Sequence, residues 1–558
     1  MSENKTGRIV VIGAAAAGLR AAARARRLLP DASITVIDSG KYISYGACGM
    51  PYFVSGDIGN ADELRKTSYG VIRDPEFFRA AKGLEVIIET RVERIDRDAR
   101  KVFCKSIITG DTSEYLYDKL VLATGASPIM LPGVSTGSKR ITTFKELEDS
   151  ITLRQSLQKG EIEKIGLIGA GPIGCELAEA CGAMWGAEVI LIDAAPNILP
   201  AIMDLEMARA VETYLASEDI EIHTNCPLEG VTESEDGVII KTGQGDFEVD
   251  HAIFAVGVRP NSHLAADCGL AIGKGGGIIV DEKMTTSDPN IFAAGDCVEL
   301  KHLITGNPIQ LPLGSLANRQ GRVIGSNLGG GDERFGPVVG SAAVKIFDMN
   351  IAATGLTEKA AAEAGFDVGV SWGSYTHIAD YYPDSENLHL KLVYDKSTTR
   401  LLGLQGYSKG EVVKRIDVFA ALLKHEGKLE DLLDLEFAYA PPYAPALELL
   451  NIIGCIARDS LLEGVEALPP NSDISDRLIV DLRREHESTD RPLVEKNILK
   501  LPFETFRDTW NQVPKDGPIV CVCTKGIRSC EAVRILNQQG YPDVRYIGGG
   551  TLIKLAQK

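Results

Sequence analysis

Two cysteines of this 558-residue chain stand where sulfur chemistry is possible. Cys48 lies in SYGACGMPY, among Gly46, Ala47 and Gly49, whose small side chains let a flat ring system lie close against the sulfur. Electron transfer to sulfur needs such an approach, and nearby helix N-terminal amides would favour the thiolate. Cys523 opens Cys523-Thr-Lys-Gly-Ile-Arg528-Ser, between the buried-strand run PIVCVC and the helical EAVRILNQQ. Its sulfur therefore sits at a strand-to-helix turn, ahead of a helix N-terminus.

The elements that must position Cys48 occur twice. RIVVIG is a short β-branched run, followed by Gly13-Ala-Ala-Ala-Ala-Gly18, an Ala- and Arg-rich helical stretch, and a second strand, ITVID, ending in Asp38. This is a dinucleotide fingerprint. Gly13 permits the turn, small Ala15 admits a pyrophosphate, Gly18 lets helix pack on strand, and Asp38 accepts from ribose hydroxyls. KIGLIG, Gly169-Ala-Gly171-Pro-Ile-Gly174 and EVILID, ending in Asp193, repeat the unit. A carboxylate at Asp193 accepts from a free 2′-hydroxyl and repels a 2′-phosphate, so the second site leans to NADH over NADPH. VLATGASP, with Ala123, Thr124 and Gly125, and IFAAGDC, with Gly295 and Asp296, are strand-to-turn segments. The second sets a carboxylate beside a glycine, suited to ribityl hydroxyls, although both segments also read as plain turns.

In this order the motifs resemble the pyridine nucleotide-disulfide oxidoreductase family from about residue 8 to about residue 455, with GAGPIG and AVGVRPN between the others. The resemblance implies FAD on the first unit and NADH or NADPH on the second, with Gly257 and Arg259 at the returning crossover. It also implies a homodimer formed through GSAAVKIFDMNIAATGLTE. The family's disulfide reductases carry two cysteines separated by four residues, whereas the position five before Cys48 is Ile43. A lone thiol cannot store two electrons as an enzyme disulfide, so its oxidised form must be a mixed disulfide, a persulfide or a sulfenic acid. That pattern resembles the branch holding coenzyme A-disulfide reductase, NADH oxidase and NADH peroxidase. Ala16 stands where the peroxidase type has a histidine.

Arg20, Arg24, Arg26 and Arg27 resemble the arginine-rich first helix of the coenzyme A-disulfide type. There Arg20 and Arg24 would grip the pyrophosphate or 3′-phosphate of coenzyme A, although a solvated helix face has the same composition. HIADYYPDSE and AYAPPYAPALE resemble segments that bring tyrosines near the reactive cysteine, one from each subunit. Tyr381 or Tyr382, and Tyr439, would protonate the departing thiolate, or serve as interface residues. Asp384 stands where the family usually has glycine.

After Arg458, EALPPNSDISD reads as a linker, and the CTKGIRS segment beyond it resembles the rhodanese active loop, closed by YPDVRYIGGG. Such a loop aims successive amides at one sulfur, favouring thiolate and persulfide, with Arg528 as its anchor. Cys523 to Arg528 spans six residues, against the seven of cysteine phosphatases, which favours sulfur transfer over phosphoryl transfer. RPLVEKNILKLP replaces the segment usual in rhodaneses. Cys521 reads as a core residue, and Cys530 as either inert or able to resolve an oxidised Cys523.

Net charge of −18 at pH 7 gives no general attraction for nucleic acid or anionic lipid. Eleven cysteines are too sparse for a disulfide scaffold and form no zinc-like pair of CxxC motifs, so reduced cytoplasmic thiols and no metal are expected. The basic, Ala-rich run from Arg8 to Leu29 carries the nucleotide pattern, which argues against an export signal. The expected fold is α/β, with an FAD-binding domain at 1–145 and 250–330 and an NAD(P)-binding domain at 146–249, both Rossmann-like. An α+β dimerisation domain at 331–457, a linker at 458–472 and a rhodanese-like α/β domain at 473–558 follow.

The expected activity is reduction of coenzyme A disulfide, coenzyme A persulfide or polysulfide through Cys48, with Cys523 handling sulfane sulfur. The alternatives are an NADH oxidase or peroxidase working through a Cys48 sulfenic acid, and a flavin-bearing sulfur carrier or redox sensor.

Overall fold

The computed structural model describes residues 7–131, 134 and 138–556. The chain divides into two compact units. The first holds Met1–Gly169, Leu177–Val189 and Leu228–Val338; the second holds Ala170–Glu176, Ile190–Pro227 and Val339–Lys558.

In the first unit Arg8–Ile12 is buried at four of its five residues, as a β-branched strand covered on both faces should be. Five parallel strands run in the order Ile291–Ala293, Lys119–Leu122, Arg8–Ile12, Ser33–Ile37, Glu85–Ile87. Lys164–Ile168 pairs in parallel with His251–Phe254, which pairs with Ile141–Thr143. The helix Ala17–Leu28 leaves the first turn and the helix Pro172–Trp185 the second.

The repeat extends to the hydrogen bonds. Gly13 and Gly169 stand at φ 107° and 108°, and a Cβ on either would meet a carbonyl oxygen, Ala123 O at 2.0 Å and Ala255 O at 2.5 Å. No residue but glycine suits both the left-handed backbone and the close approach. The next amides, of Ala14 and Ala170, donate to Asp38 Oδ2 at 2.5 Å and Asp193 Oδ2 at 2.7 Å. The carbonyls of the same two alanines accept from Ser44 N at 2.9 Å and Leu199 N at 2.8 Å. Ser44 and Leu199 are both left-handed, at φ 52° and 50°.

In the second unit an antiparallel sheet runs Ala342–Ile346, Met349–Gly355, Leu401–Ser408, Asn387–Asp395, Val368–Thr376. Its interior holds an unusual charge, the fully buried Lys391, ion-paired with Asp204 at 3.0 Å, with Glu358 at 2.6 Å and with Glu206. Burial opposes a charged lysine here, but the carboxylates prevail and hold its pKa above the ordinary range. The C-terminal sheet is parallel, in the order Ala467–Leu468, Val544–Ile547, Ile519–Val522, Leu478–Asp481, Ile498–Lys500. The linker expected at 458–472 begins later, because the helix Leu449–Glu463 runs on and ends at Gly464, left-handed at φ 66°. No glycine or proline interrupts the chain between Arg458 and Gly464, so the change of composition does not break the helix.

Candidate functional site

Cys48 is exposed in the turn Ala47–Gly49, which runs into the helix Met50–Val54. Of the eleven cysteines, all within the described residues, it alone is exposed. Its loop hangs from buried Ile43 and buried Met50. Between them Ser44 N–H donates to Ala14 O at 2.9 Å and Gly46 N–H to Leu64 O at 2.9 Å. The first of these bonds ties the reactive loop to the first fingerprint turn itself.

The same turn carries the expected Ala15 and Gly18. Ala15 is exposed beside it, and Gly18 packs so closely that a Cβ would stand 1.9 Å from Gly13 O. The helix Ala17–Leu28 has neither a side-chain cap nor an acid in its first turn, and the same holds for Gly314–Leu328. Uncapped ends of this kind accept an anion such as a pyrophosphate.

Asp38 accepts from Ala14 N–H and, at 2.7 Å, from Gly40 N–H; burial pushes its carboxyl up and the two amides pull it back. Ala123 N–H donates to Ile12 O at 2.7 Å. Thr124 and Asn261 exchange hydrogen bonds, Thr124 Oγ1 to Asn261 O at 2.5 Å and Asn261 Nδ2 to Thr124 O at 2.9 Å. Gly125, at φ 68°, faces open space. Gly295 N–H donates to Gln320 Oε1 at 2.6 Å, and Asp296 lies 3.4 Å from Lys145 Nζ. The open glycine and uncapped helices leave room and donors for a long phosphate-bearing cofactor, so the residues fit FAD.

At the second fingerprint Gly171 also faces open space, while Gly174 is buried in the helix Pro172–Trp185, which has no acid in its first turn. Asp193 accepts from Ala170 N–H and, at 2.7 Å, from Ala195 N–H. Gly257, at φ 100°, offers its carbonyl to Ile129 N–H at 3.0 Å. Arg20 is exposed, but Arg24 is engaged by Ser326 Oγ at 3.0 Å and Glu333 at 3.8 Å.

Tyr381, Tyr382 and Tyr439 belong to the second unit and are 73%, 40% and 52% exposed. A hydrogen bond to Tyr439 raises the Tyr381 phenol. Asp384 adopts the left-handed conformation, φ 61°, which explains how it stands where glycine is usual, since aspartate tolerates that region.

Cys523 is buried at the end of the strand Ile519–Val522, and its sulfur accepts from Gly526 N–H at 3.1 Å. Arg528, expected as the anchor of this loop, pairs with a residue that carries no mark in the sequence. Its guanidinium grips Glu487 at 2.8 and 2.5 Å, and Thr524 Oγ1 donates to the same carboxylate. Glu487 sits among Glu485 and Asp490 with no pattern to single it out; only the tertiary pairing does. Cys521 is fully buried and its thiol is pushed up by burial. Cys530 lines a cavity of about 610 Å³ with Trp372, Tyr375, Cys455, Lys525 and Arg534, so the sulfur loop opens on it through Lys525.

Arg528 holds the Glu487 carboxyl at about 2, below its ordinary 4.5. A depressed carboxyl pKa adds stability that is full above the unfolded value and lost as pH falls toward the folded one. The Cys523 loop is therefore expected to hold constant above about pH 5 and loosen progressively below it. Hydrogen exchange at Thr524–Ile527 against pH measures this, and in Glu487→Gln the acid-dependent part should vanish.

The family sequence model for pyridine nucleotide-disulphide oxidoreductase matches residues 7–318. The family's dimerisation domain matches residues 341–450, and a rhodanese-like domain matches 469–552. The solved structure of a NAD-dependent persulfide reductase from A. fulgidus superposes with a TM-score of 0.94 at 38% identity, over 98% of this chain and 99% of that one. An NAD(P)H coenzyme A polysulfide/persulfide reductase of Pyrococcus horikoshii is 33% identical over 82% of this chain and all of its own length. A protein of Methanocaldococcus jannaschii described as an NADH oxidase is 34% identical over 80% of this chain and 97% of its own length.

Proposed function

This chain belongs to the pyridine nucleotide-disulphide oxidoreductase family, and on that premise we propose that it is an FAD-dependent enzyme using NAD(P)H to reduce coenzyme A disulfide, coenzyme A persulfide or polysulfide through Cys48. One observation carries the reading: the single exposed cysteine of the chain hangs directly from the first nucleotide turn.

The Gly13 turn, Asp38, the Ala123–Gly125 segment and Asp296 would hold FAD, which when bound would supply hydride acceptance from NAD(P)H and electrons for sulfur. Cys48 attacks the substrate S–S bond as thiolate, forming a mixed disulfide while the departing sulfur leaves as an anion. Two electrons then cleave the mixed disulfide, regenerating the Cys48 thiolate and releasing the second sulfur. Tyr381, Tyr382 or Tyr439 of a second subunit would give each departing thiolate its proton, in a homodimer that the dimerisation-domain match supports. Exposed Arg20 would meet coenzyme A phosphate, with Arg24 turned partly to Ser326 and Glu333. Asp193 supports NADH over NADPH. Cys523 would carry sulfane sulfur as a persulfide in its amide-lined loop, with Arg528 holding that loop through Glu487. The reading includes a reducing, cytoplasmic setting, in keeping with the sparse cysteines.

The deciding experiment follows anaerobic NADH oxidation with coenzyme A persulfide or polysulfide beside an oxygen-only control. Rapid sulfide release supports the reductase. Turnover with oxygen alone supports the NADH oxidase reading that the M. jannaschii relative keeps open.

The two fingerprints also separate by substitution. Gly13→Ala should purify without FAD, since the added Cβ collides with Ala123 O at 2.0 Å. Gly169→Ala should keep its FAD but raise the KM for NAD(P)H by roughly tenfold or more, as a clash at a turn costs more than about 1.4 kcal/mol. FAD content and KM read the two effects, and an exchange of outcomes would reverse the assignment of the cofactors.

A further inference from the structure

We propose that Tyr45 is a positioning residue for Cys48, pinning the reactive loop to Glu146. The inference rests on the reading that Cys48 works against FAD. Between buried Ile43 and buried Met50 run Ser44, Tyr45, Gly46, Ala47, Cys48 and Gly49, and Tyr45 alone among them has a large side chain. Tyr45 is therefore the loop side chain long enough to reach an acceptor well outside the loop. The backbone beside it is strained, with Ser44 left-handed at φ 52°, and strain persists only where contacts hold it.

The Tyr45 hydroxyl donates to Glu146 Oε2 at 2.8 Å. Burial, and then the charge of Glu146, raise the phenol well above its usual range, so it remains a donor at any working pH. The backbone that carries the acceptor is itself fixed. Glu146 caps the helix Leu147–Gln158, with its own N–H and that of Lys145 donating to Asp149 Oδ2 at 2.8 Å. Lys145 sends its ammonium to Asp296, 3.4 Å away, on the segment assigned to the ribityl chain. Adjacent residues on one helix end thus hold the cysteine loop on one side and the flavin segment on the other. The placement of the thiol would be set through this helix end, and the Tyr45–Glu146 hydrogen bond is the joint that a substitution can release.

The test uses full-length, FAD-loaded protein carrying Tyr45→Phe, Glu146→Gln or Glu146→Ala. The readouts are the long-wavelength absorbance of the Cys48 thiolate against oxidised flavin, titrated with pH, and the alkylation rate of Cys48 by iodoacetamide. Tyr45→Phe and Glu146→Ala should weaken the absorbance about fivefold, the population ratio that one net hydrogen bond supports, and shift its pH midpoint. Glu146→Gln retains an acceptor oxygen and should retain the absorbance. A wild-type band and midpoint in Tyr45→Phe would overturn the proposal. Equal loss in Glu146→Gln and Glu146→Ala would overturn it too, since charge and not the hydrogen bond would then be at work. Wild-type protein whose Cys48 has first been freed with a thiol reductant, and which then shows neither the band nor alkylation at Cys48, would instead sink the reading beneath it.

Discussion

Cys48→Ser is expected to lower NAD(P)H-dependent reduction of sulfur substrates by at least about a thousandfold while leaving the bound FAD in place. A serine hydroxyl cannot form or release an S–S bond, and no other cysteine of the first unit is exposed. Ile43, five residues before it, is buried and offers no second sulfur. Cys104 and Cys181 are buried, and desolvation raises them to about 11 and about 12, far from thiolate at working pH. Cys297 is buried as well. Anaerobic turnover with coenzyme A disulfide is the cleanest measurement, because it does not depend on the C-terminal loop. Cys523→Ser should leave that rate unchanged and slow only the reactions that begin from sulfane sulfur. Residual turnover above about a tenth of wild type in Cys48→Ser would remove Cys48 from the chemistry, since a lost covalent route costs far more.

Lys391→Met is the second large effect, and it concerns stability. The cation is fully buried, while the side chains of Asp204 and Glu206 are only 9% and 8% exposed. Those carboxylates are further fixed, Asp204 by Gln405 Nε2 at 2.6 Å and Glu206 by Trp372 Nε1 at 3.1 Å. Removing the lysine leaves them buried without their counter-charge, a loss of about 3–5 kcal/mol. The melting temperature of the second unit should fall by roughly 5–15 °C. Glu358 is 45% exposed, so Glu358→Gln should cost about 1 kcal/mol or less. A raised lysine pKa stabilises fully below the unfolded value of 10.5 and fades as pH rises beyond it. The deficit of Lys391→Met should therefore persist through neutral pH and narrow at strongly alkaline pH. Thermal unfolding followed through Trp372 fluorescence measures it, and a fall of less than about 2 °C would show that the carboxylates find other partners.

What could be read from the sequence was whatever is local. The fingerprints, the strand-to-turn segments and the sulfur loop each put their determinants within a few residues, and Gly13 and Gly169 stand where the turn demands them. The α/β architecture with its C-terminal rhodanese-like domain followed from the order of those motifs. The groups that fix the site were hidden because their partners are remote. Tyr45 and Glu146 are 101 residues apart, Lys391 and Glu206 185, and Arg528 and Glu487 41. Asn261 clasps Thr124 across 137 residues. A carboxylate among other surface carboxylates carries no mark of such a role until the fold closes. The late start of the linker was legible in part, since Gly464 is a helix stop and the proline run begins only at Pro469.

The two nucleotide turns share one more feature than their glycines. The carbonyl after each glycine holds a left-handed residue, Ser44 in the first copy and Leu199 in the second, and four positions further on stand Cys48 and Met203. The reactive loop is thus built on the same backbone device as its counterpart, and the thiol is an addition to a connection that stands without one in the second copy.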